Sequence, residues 1–417
     1  MKKNYLLLFT DFFPFGNWES FLLAEMKFLP KYFDRIFILS NYQGSSKPLY
    51  ELSQNTEALF ISQRISSFEK ISSIRFLLSK MFWEEIRFTR EKYRIAVSPL
   101  IIKTALISLL QAVRYKKQIE KFLSKKNLPD GNIFVYSYWT DYRALAAALL
   151  HCDHSYLAIS RAHNWDIYFE RHPARYLPFR KFIFNHLNSI FFVSENGRNY
   201  SLQKVGVQYA DKLHVAPLGI EQQEPSPSEA ESVFTIVSCS RLVHVKRVHL
   251  IVDVLKHLAE FPVRWIHFGS GLLHYEVIRH AHAELDKRKN IQIDFRGDVK
   301  QSGVLQFYRS QHVDLFFLTS EYEGMPYVII EALSFGIPVM ATDVGGVNEA
   351  INNRNGFLIP KNFDPKDAAE KIAHYRNLGE GEKKKYREAA FETWREKFDA
   401  SKNYPAFATK LLSLSQQ

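Results

Sequence analysis

The 417-residue chain reads as an α/β protein of two Rossmann-like domains, each built on a parallel sheet. Three observations predict this. Short runs of β-branched, aromatic and leucine residues alternate with longer helical stretches, the pattern of repeated βαβ units. A polar segment bearing two prolines interrupts that alternation near the middle. The length calls for more than one core, and 46% hydrophobic residues can fill two.

Taken in order, strands are expected at Tyr5 to Phe9, Arg35 to Leu39, Ala58 to Ser62, Ile133 to Tyr136, Tyr156 to Ser160, Ser189 to Val193 and Lys212 to Ala216. The apolar run after Lys2 and Lys3 is short and is followed at once by Asp11 and Pro14, so it reads as a first strand and not as a signal peptide. These elements make a first domain over 1–218. Residues 219–232 follow Pro217, contain Pro225 and Pro227, and are expected to be the linker. A second domain over 233–400 carries strands at Val233 to Cys239, Trp265 to Phe268, Ile291 to Phe295, Asp314 to Leu318 and Pro338 to Ala341. The last stretch, 401–417, reads as a further helix.

No stretch approaches 18 uninterrupted apolar residues, so no transmembrane helix is expected. Two cysteines, Cys152 and Cys239, make no disulfide scaffold and fit a reducing cytoplasm. No Cys/His spacing suggests a metal. The net charge of +11 is unevenly spread. Residues 1–220 hold 30 Lys and Arg against 18 Asp and Glu, whereas the remainder is nearly neutral. Within 64–126 there are 15 basic and 5 acidic side chains, interleaved with Phe76, Leu77, Leu78, Met81, Phe82, Trp83 and Phe88. That mixture suits an anionic membrane surface. Amphipathic helices packing on the first sheet with basic outer faces would produce the same composition. Nucleic acid is not expected as a partner, because no helix-turn-helix, zinc finger or RNP-type strand accompanies the charge.

The chemistry-bearing motifs lie where strands end. Ser320 to Glu331 sets Glu323 in a loop and Glu331 eight residues later in a helix, with Pro326 suited to the first helical turn. Free N–H groups at such a helix start can dock a diphosphate, leaving Glu323 for sugar hydroxyls and Glu331 for a ribose diol. Upstream, Ser238 to Arg247 places Arg241 and Lys246 after another strand. In an open parallel sheet ligands bind beyond the carboxyl ends of the strands, so both cations and the Glu323 loop should converge. After the first strand, Asp11 to Phe21 offers Gly16 for close approach to a phosphate and Glu19 for an acceptor hydroxyl; a helix N-terminal carboxylate explains Glu19 equally well. Ser160 to Asp166 presents His163, with Asp166 placed to fix its tautomer or to bind an acceptor. Ser194 reads as a helix cap.

These motifs together resemble family 4 of the retaining glycosyltransferases. The resemblance rests on S-R-L-x-x-x-K at Ser240 to Lys246, E-G-M-P-x-x-x-x-E-A at Glu323 to Ala332, Phe268 to Gly271, Arg296-Gly297, Gly336 to Val339 and Gly345 to Glu349, in the family's order over about 120 residues. The first loop is similar to the version found in polysaccharide-assembly transferases. The chain departs from the family at Ser240 and at Arg247, two positions where glycine is frequent.

What the resemblance implies is a GT-B fold, two facing Rossmann-like domains with an inter-domain cleft, the final helix returning to the first domain. It implies transfer of a hexosyl-type group, with retention and without a metal, from a UDP- or GDP-linked sugar to a saccharide or lipid-linked acceptor in capsule, exopolysaccharide or O-antigen assembly. Apart from that donor no cofactor is expected. In this scheme His163, Arg241, Lys246 and Glu323 are catalytic. Gly16, Gly269, Arg296, Gly324, Met325, Pro326 and Glu331 hold the donor, and Glu19 and Asp166 the acceptor. A cytoplasmic location, peripheral on the inner face of the membrane, follows. The competing readings are another GT-B enzyme, such as a sugar-nucleotide epimerase or a phosphorylase, and a non-catalytic membrane-surface protein on the same scaffold.

Overall fold

The computed structural model describes residues 2–42, 44–45, 47–62, 65–227 and 232–416. Among these, thirteen strands form two sheets in which every pair is parallel. The first sheet holds β1 (Lys3–Thr10), β2 (Arg35–Ser40), β3 (Thr56–Phe60), β4 (Gly131–Ser137), β5 (Leu157–Ala162), β6 (Ser189–Phe192) and β7 (Leu213–Val215), in the order β3-β2-β1-β4-β5-β6-β7. The second holds β8 (Phe234–Cys239), β9 (Val263–Phe268), β10 (Ile291–Phe295), β11 (Leu315–Leu318), β12 (Val339–Thr342) and β13 (Gly356–Ile359), in the order β10-β9-β8-β11-β12-β13. The chain divides into two compact units. One comprises the residues up to Pro217 together with those from Tyr404 onward, and the other Leu218–Asn403.

The strands are continuous apolar runs because helices cover both faces of each sheet. In β1 the period of two sends Leu7 and Phe9 into one core with Phe37, Leu39 and Val135, and Leu6 and Leu8 into another with Ile36, Ile38 and Tyr136. The second of these cores is completed by Phe407, Ala408, Leu411 and Leu414 of the helix Ala400–Ser413 and the turn that follows it. In the second unit Phe234, Ile236, Val263, Trp265, Leu315 and Phe317 share one core with the helices His249–Leu255 and Pro365–Asn377.

All twelve expected strands form, with ends shifted by a residue or two. The strand not foreseen is β13, whose four residues Gly-Phe-Leu-Ile are too few to show alternation. Of the expected linker, residues 228–231 lie outside the described residues. The part before them lies along the second unit: the Ser226 N–H donates to the Phe335 carbonyl at 3.0 Å and Ile220 bridges to Asp399. Among the described residues no helix is long and apolar enough to cross a membrane.

In the second sheet the chain runs outward from β8 through β9 to β10, then restarts on the other side of β8 with β11. The strand order therefore reverses between β8 and β11, the place where open parallel sheets bind ligands. The loops after these two strands carry the Lys246 and Glu323 motifs.

Candidate functional site

The loops after β8 and β11 are stitched to each other. The Glu321 N–H donates to the Val245 carbonyl at 2.7 Å, and the Thr319 hydroxyl donates to the carbonyls of Lys246 (3.1 Å) and Arg247 (3.0 Å). Arg247 answers from the other side, its guanidinium donating to the carbonyls of Thr319 (2.9 Å), Ser320 (3.3 Å) and Lys361 (2.8 Å). Arg247 holds φ 48°, the left-handed region that glycine enters without strain. Here an arginine takes up that backbone and turns its side chain into a clamp. The result brings Lys246 Nζ into an ion pair with Glu323 Oε1, with the Glu323 carboxylate nearly buried.

From Glu323 the chain passes through buried Gly324 and Met325 into the helix Tyr327–Ser334. Pro326 is the N-cap of that helix, one position earlier than expected: its carbonyl accepts from the Ile329 N–H at 3.0 Å. The first N–H groups, of Tyr327 and Val328, have no carbonyl within the helix to bond. The loop is held from below by the Gly346 N–H, which donates to the Gly324 carbonyl at 2.8 Å. Glu331 sits one turn into the helix, buried, and accepts from Gln301 Nε2 at 2.6 Å. Burial pushes its carboxyl up to about 7 despite that hydrogen bond. Burial and the Glu331 charge also raise the Cys239 thiol.

Gly269 closes the site on the β9 side. It adopts φ +126°, and a Cβ there would stand 2.0 Å from the Ser240 carbonyl oxygen, so only glycine fits. Arg241 is exposed on the loop after β8. Arg296 is exposed at the end of β10, where its Nε donates to Asp294 at 2.8 Å and its guanidinium lies over the Phe307 ring. Gln301 was missed altogether, since nothing in the sequence links it to a glutamate 30 positions on.

In the first unit the structure redirects three expectations. Glu19 is 1% exposed, and its carboxylate accepts from the N–H groups of Asp11, Phe12 and Phe13 and from the Trp139 indole. Those donors, not an acceptor hydroxyl, occupy it; burial raises its pKa while Arg143 and the hydrogen bonds oppose the rise. The space above Gly16 is taken by the Tyr42 ring, 3.1 Å from where a Cβ would be, so packing rather than a phosphate accounts for this glycine. Asp166 accepts from the main-chain N–H groups of Thr140 (2.8 Å), His163 (2.9 Å) and Asn164 (3.0 Å), and therefore shapes the His163 loop without touching the ring. The His163 ring lies between Tyr138 and Trp139, with centroids 4.5 and 4.6 Å away. Both ring nitrogens are buried without a hydrogen-bond partner among the described residues. Burial, reinforced by Arg161, holds its pKa well below the usual histidine range, so the ring is neutral at pH 7. Ser194 caps its helix as expected, accepting from the Gly197 N–H at 3.2 Å.

Two Rossmann-like units, each on a parallel sheet, make the GT-B class of fold. Residues 219–393, which lie within the second unit, match the family of glycosyl transferases group 1. A putative teichuronic acid biosynthesis glycosyltransferase of Bacillus subtilis (strain 168) is 42% identical over 173 residues, which are 41% of this chain and 40% of that protein. The O-antigen biosynthesis glycosyltransferase WbnH of Escherichia coli is 26% identical over 175 residues, 42% of this chain and 47% of that protein. The matched stretch thus spans about half or less of these curated relatives. Over the whole chain the fold is that of Anabaena Alr3699/HepE, solved in complex with UDP and glucose: TM-score 0.67 and 17% identity over 99% of this chain and 100% of that one.

Proposed function

We propose that the protein is a retaining glycosyltransferase that moves a hexosyl-type group from a nucleotide diphosphate sugar to an acceptor hydroxyl. The observation that carries this is the Lys246, Glu323 and Glu331 set at the switch point of the second sheet, inside the segment that matches group 1 glycosyltransferases. In this reading the ribose diol donates to Glu331, the diphosphate meets the helix N-terminus behind Pro326, and Glu323 orients the sugar. Lys246, with exposed Arg241, meets the charge that builds on the leaving diphosphate, which favours the transition state over the bound ground state. The bond from the sugar's anomeric carbon to the diphosphate oxygen breaks. A bond from that carbon to the acceptor oxygen forms on the same face, and the acceptor proton passes to the departing phosphate oxygen. The diphosphate's own basicity removes the need for a protein base, and the two cations take the charge a divalent metal would otherwise balance. His163, neutral and with unpartnered nitrogens, offers one donor and one acceptor to a sugar hydroxyl. Glu19 and Asp166 position loops and do not touch substrate.

The acceptor we propose is a lipid-linked saccharide of surface polysaccharide assembly. The named roles of the bacterial relatives in O-antigen and teichuronic acid biosynthesis support this, as does the basic first unit. The test is release of free nucleotide from a panel of UDP- and GDP-linked sugars without added metal. Donor-specific release is expected, falling at least a hundredfold (about 2.7 kcal/mol of transition-state stabilisation) in a folded Lys246→Ala variant. Neither release nor binding of any donor would end the reading.

A further inference from the structure

The sequence leaves two compatible accounts of the basic stretch 64–126, a membrane surface and amphipathic helices with basic outer faces, and what the outer faces carry bears on the first. The turn Ser73–Leu78 and the helix Lys80–Glu91, which follow the helix Ser67–Ser72, do pack inward, through Phe76, Leu77, Met81, Phe82, Ile86 and Phe88. Their outward side is not simply charged. Phe68, Ile71, Ile74 and Leu78, at intervals of three, three and four, are 79%, 66%, 56% and 92% exposed, and Trp83 is 52% exposed. Trp83 is fixed beside this row by its indole N–H, which donates to the Leu77 carbonyl at 2.6 Å. Five large apolar side chains within 16 residues form an exposed ridge, more than scattered surface hydrophobes would supply. Exposed Lys70, Arg75, Lys80 and Arg87 flank it. Of the acids nearby, Glu85 is buried, Glu69 pairs with Arg114, Glu84 faces Lys80 at 3.8 Å, and exposed Glu91 lies two turns beyond Trp83 at the far end of its helix.

The geometry points to this ridge as the part of the first unit that enters an anionic lipid surface, the apolar row at acyl depth and the four cations at the level of the headgroups. Charge selects this occupant. A protein partner or a second copy of the chain would be met by the same five apolar groups, but a second copy would bring the same excess of cations against itself. An anionic bilayer meets both the apolar row and its rim. The inference deepens the reading of a lipid-linked acceptor by naming the surface that brings the enzyme to it, and it can fail without the donor chemistry failing.

Flotation of the full chain with phosphatidylcholine vesicles, with and without phosphatidylglycerol, tests it. Binding to the anionic vesicles alone is expected, weakened by salt. Replacing Lys70, Arg75 and Lys80 by Gln should lower partitioning by about a hundredfold, roughly fivefold per cation. Ile74→Ser, Leu78→Ser and Trp83→Ser together should lower it at least about tenfold even at low salt. Equal binding by the serine variant would overturn the proposal, since adsorption would then be electrostatic only. So would loss of concentration-dependent self-association, without loss of flotation, as that variant's sole effect.

If the serine variant does not fold, Leu78→Cys in a Cys152→Ser background carries an environment-sensitive dye. A blue shift on anionic vesicles supports insertion, and an unchanged spectrum refutes it. Donor titration of the variants should match wild type; failure of the wild-type chain to float with anionic vesicles while it still binds donor sinks this inference alone, and normal flotation without donor binding sinks the transferase reading alone.

Discussion

Glu331 and Arg247 each hold a state that their surroundings oppose, a carboxyl out of water and a left-handed backbone at a residue with a side chain. Burial raises the Glu331 carboxyl from the ordinary 4.5 to about 7. A carboxyl whose folded pKa lies above the unfolded value stabilises the fold below the unfolded value and loses that contribution as pH rises through the folded one. The cost of forcing the charge is about 3 kcal/mol. Denaturant titrations should therefore find Glu331→Gln equal to wild type at about pH 4 and more stable by up to that amount at about pH 9. If Glu331 holds the ribose diol as proposed, donor binding runs the opposite way, because the diol needs the carboxylate as acceptor: affinity for the nucleotide sugar should rise through about pH 7 and become flat with pH in Glu331→Gln. Arg247 costs about 1–2 kcal/mol in its left-handed backbone and offsets this with three charge-assisted hydrogen bonds. Glycine removes the strain and the clamp together, whereas alanine removes the clamp and keeps the strain. Stability should fall in the order wild type, Arg247→Gly, Arg247→Ala, the last two separated by about 1 kcal/mol; alanine equal to or above glycine would show that the strain is absent.

At the level of elements, the loop after β1 is organised by one side chain. Glu19 gathers three backbone N–H groups that no strand or helix satisfies, and each would cost about 1–3 kcal/mol if left buried and unpaired. Glu19→Ala is thus expected to destabilise the first unit by several kcal/mol while leaving nucleotide-sugar affinity within about twofold; calorimetry beside donor titration reads both. An acceptor-binding role would give the reverse, a stable protein with impaired transfer. Local sequence made the existence of this loop legible and its glutamate conspicuous, but not the direction in which the carboxylate turns. The same division holds elsewhere. Strand runs, the Pro326 helix start and the Ser194 cap were readable because their causes lie within a few residues. The partners of Arg247, 72 to 114 positions away, and Gln301 beside Glu331 depend on which loops the topology makes neighbours. The four-residue β13 is a strand only because β12 lies alongside it.

For the molecule as a whole, two cores form from a chain that leaves the first unit at Pro217 and contributes to it again from Tyr404. Phe407, Ala408, Leu411 and Leu414 are at most 6% exposed and pack against Leu6, Leu8 and Tyr136, while the Arg161 guanidinium lies 4.7 Å from the Phe407 ring. Full burial of the three large side chains contributes about 1.5–3 kcal/mol each. Arg161 is itself buried, paired with Glu25 at 2.6 Å, so the helix also shields an ion pair that burial alone would penalise. Truncation after Asn403 removes both effects from the first unit and leaves the core of the second, with its Lys246, Glu323 and Glu331, unchanged in sequence. Scanning calorimetry of the truncated chain should show one transition displaced to lower temperature and one retained, and a nucleotide sugar should still raise the retained one by mass action. A single transition shifted as a block would mean that the two cores unfold as one cooperative unit, and that the last 14 residues stabilise both.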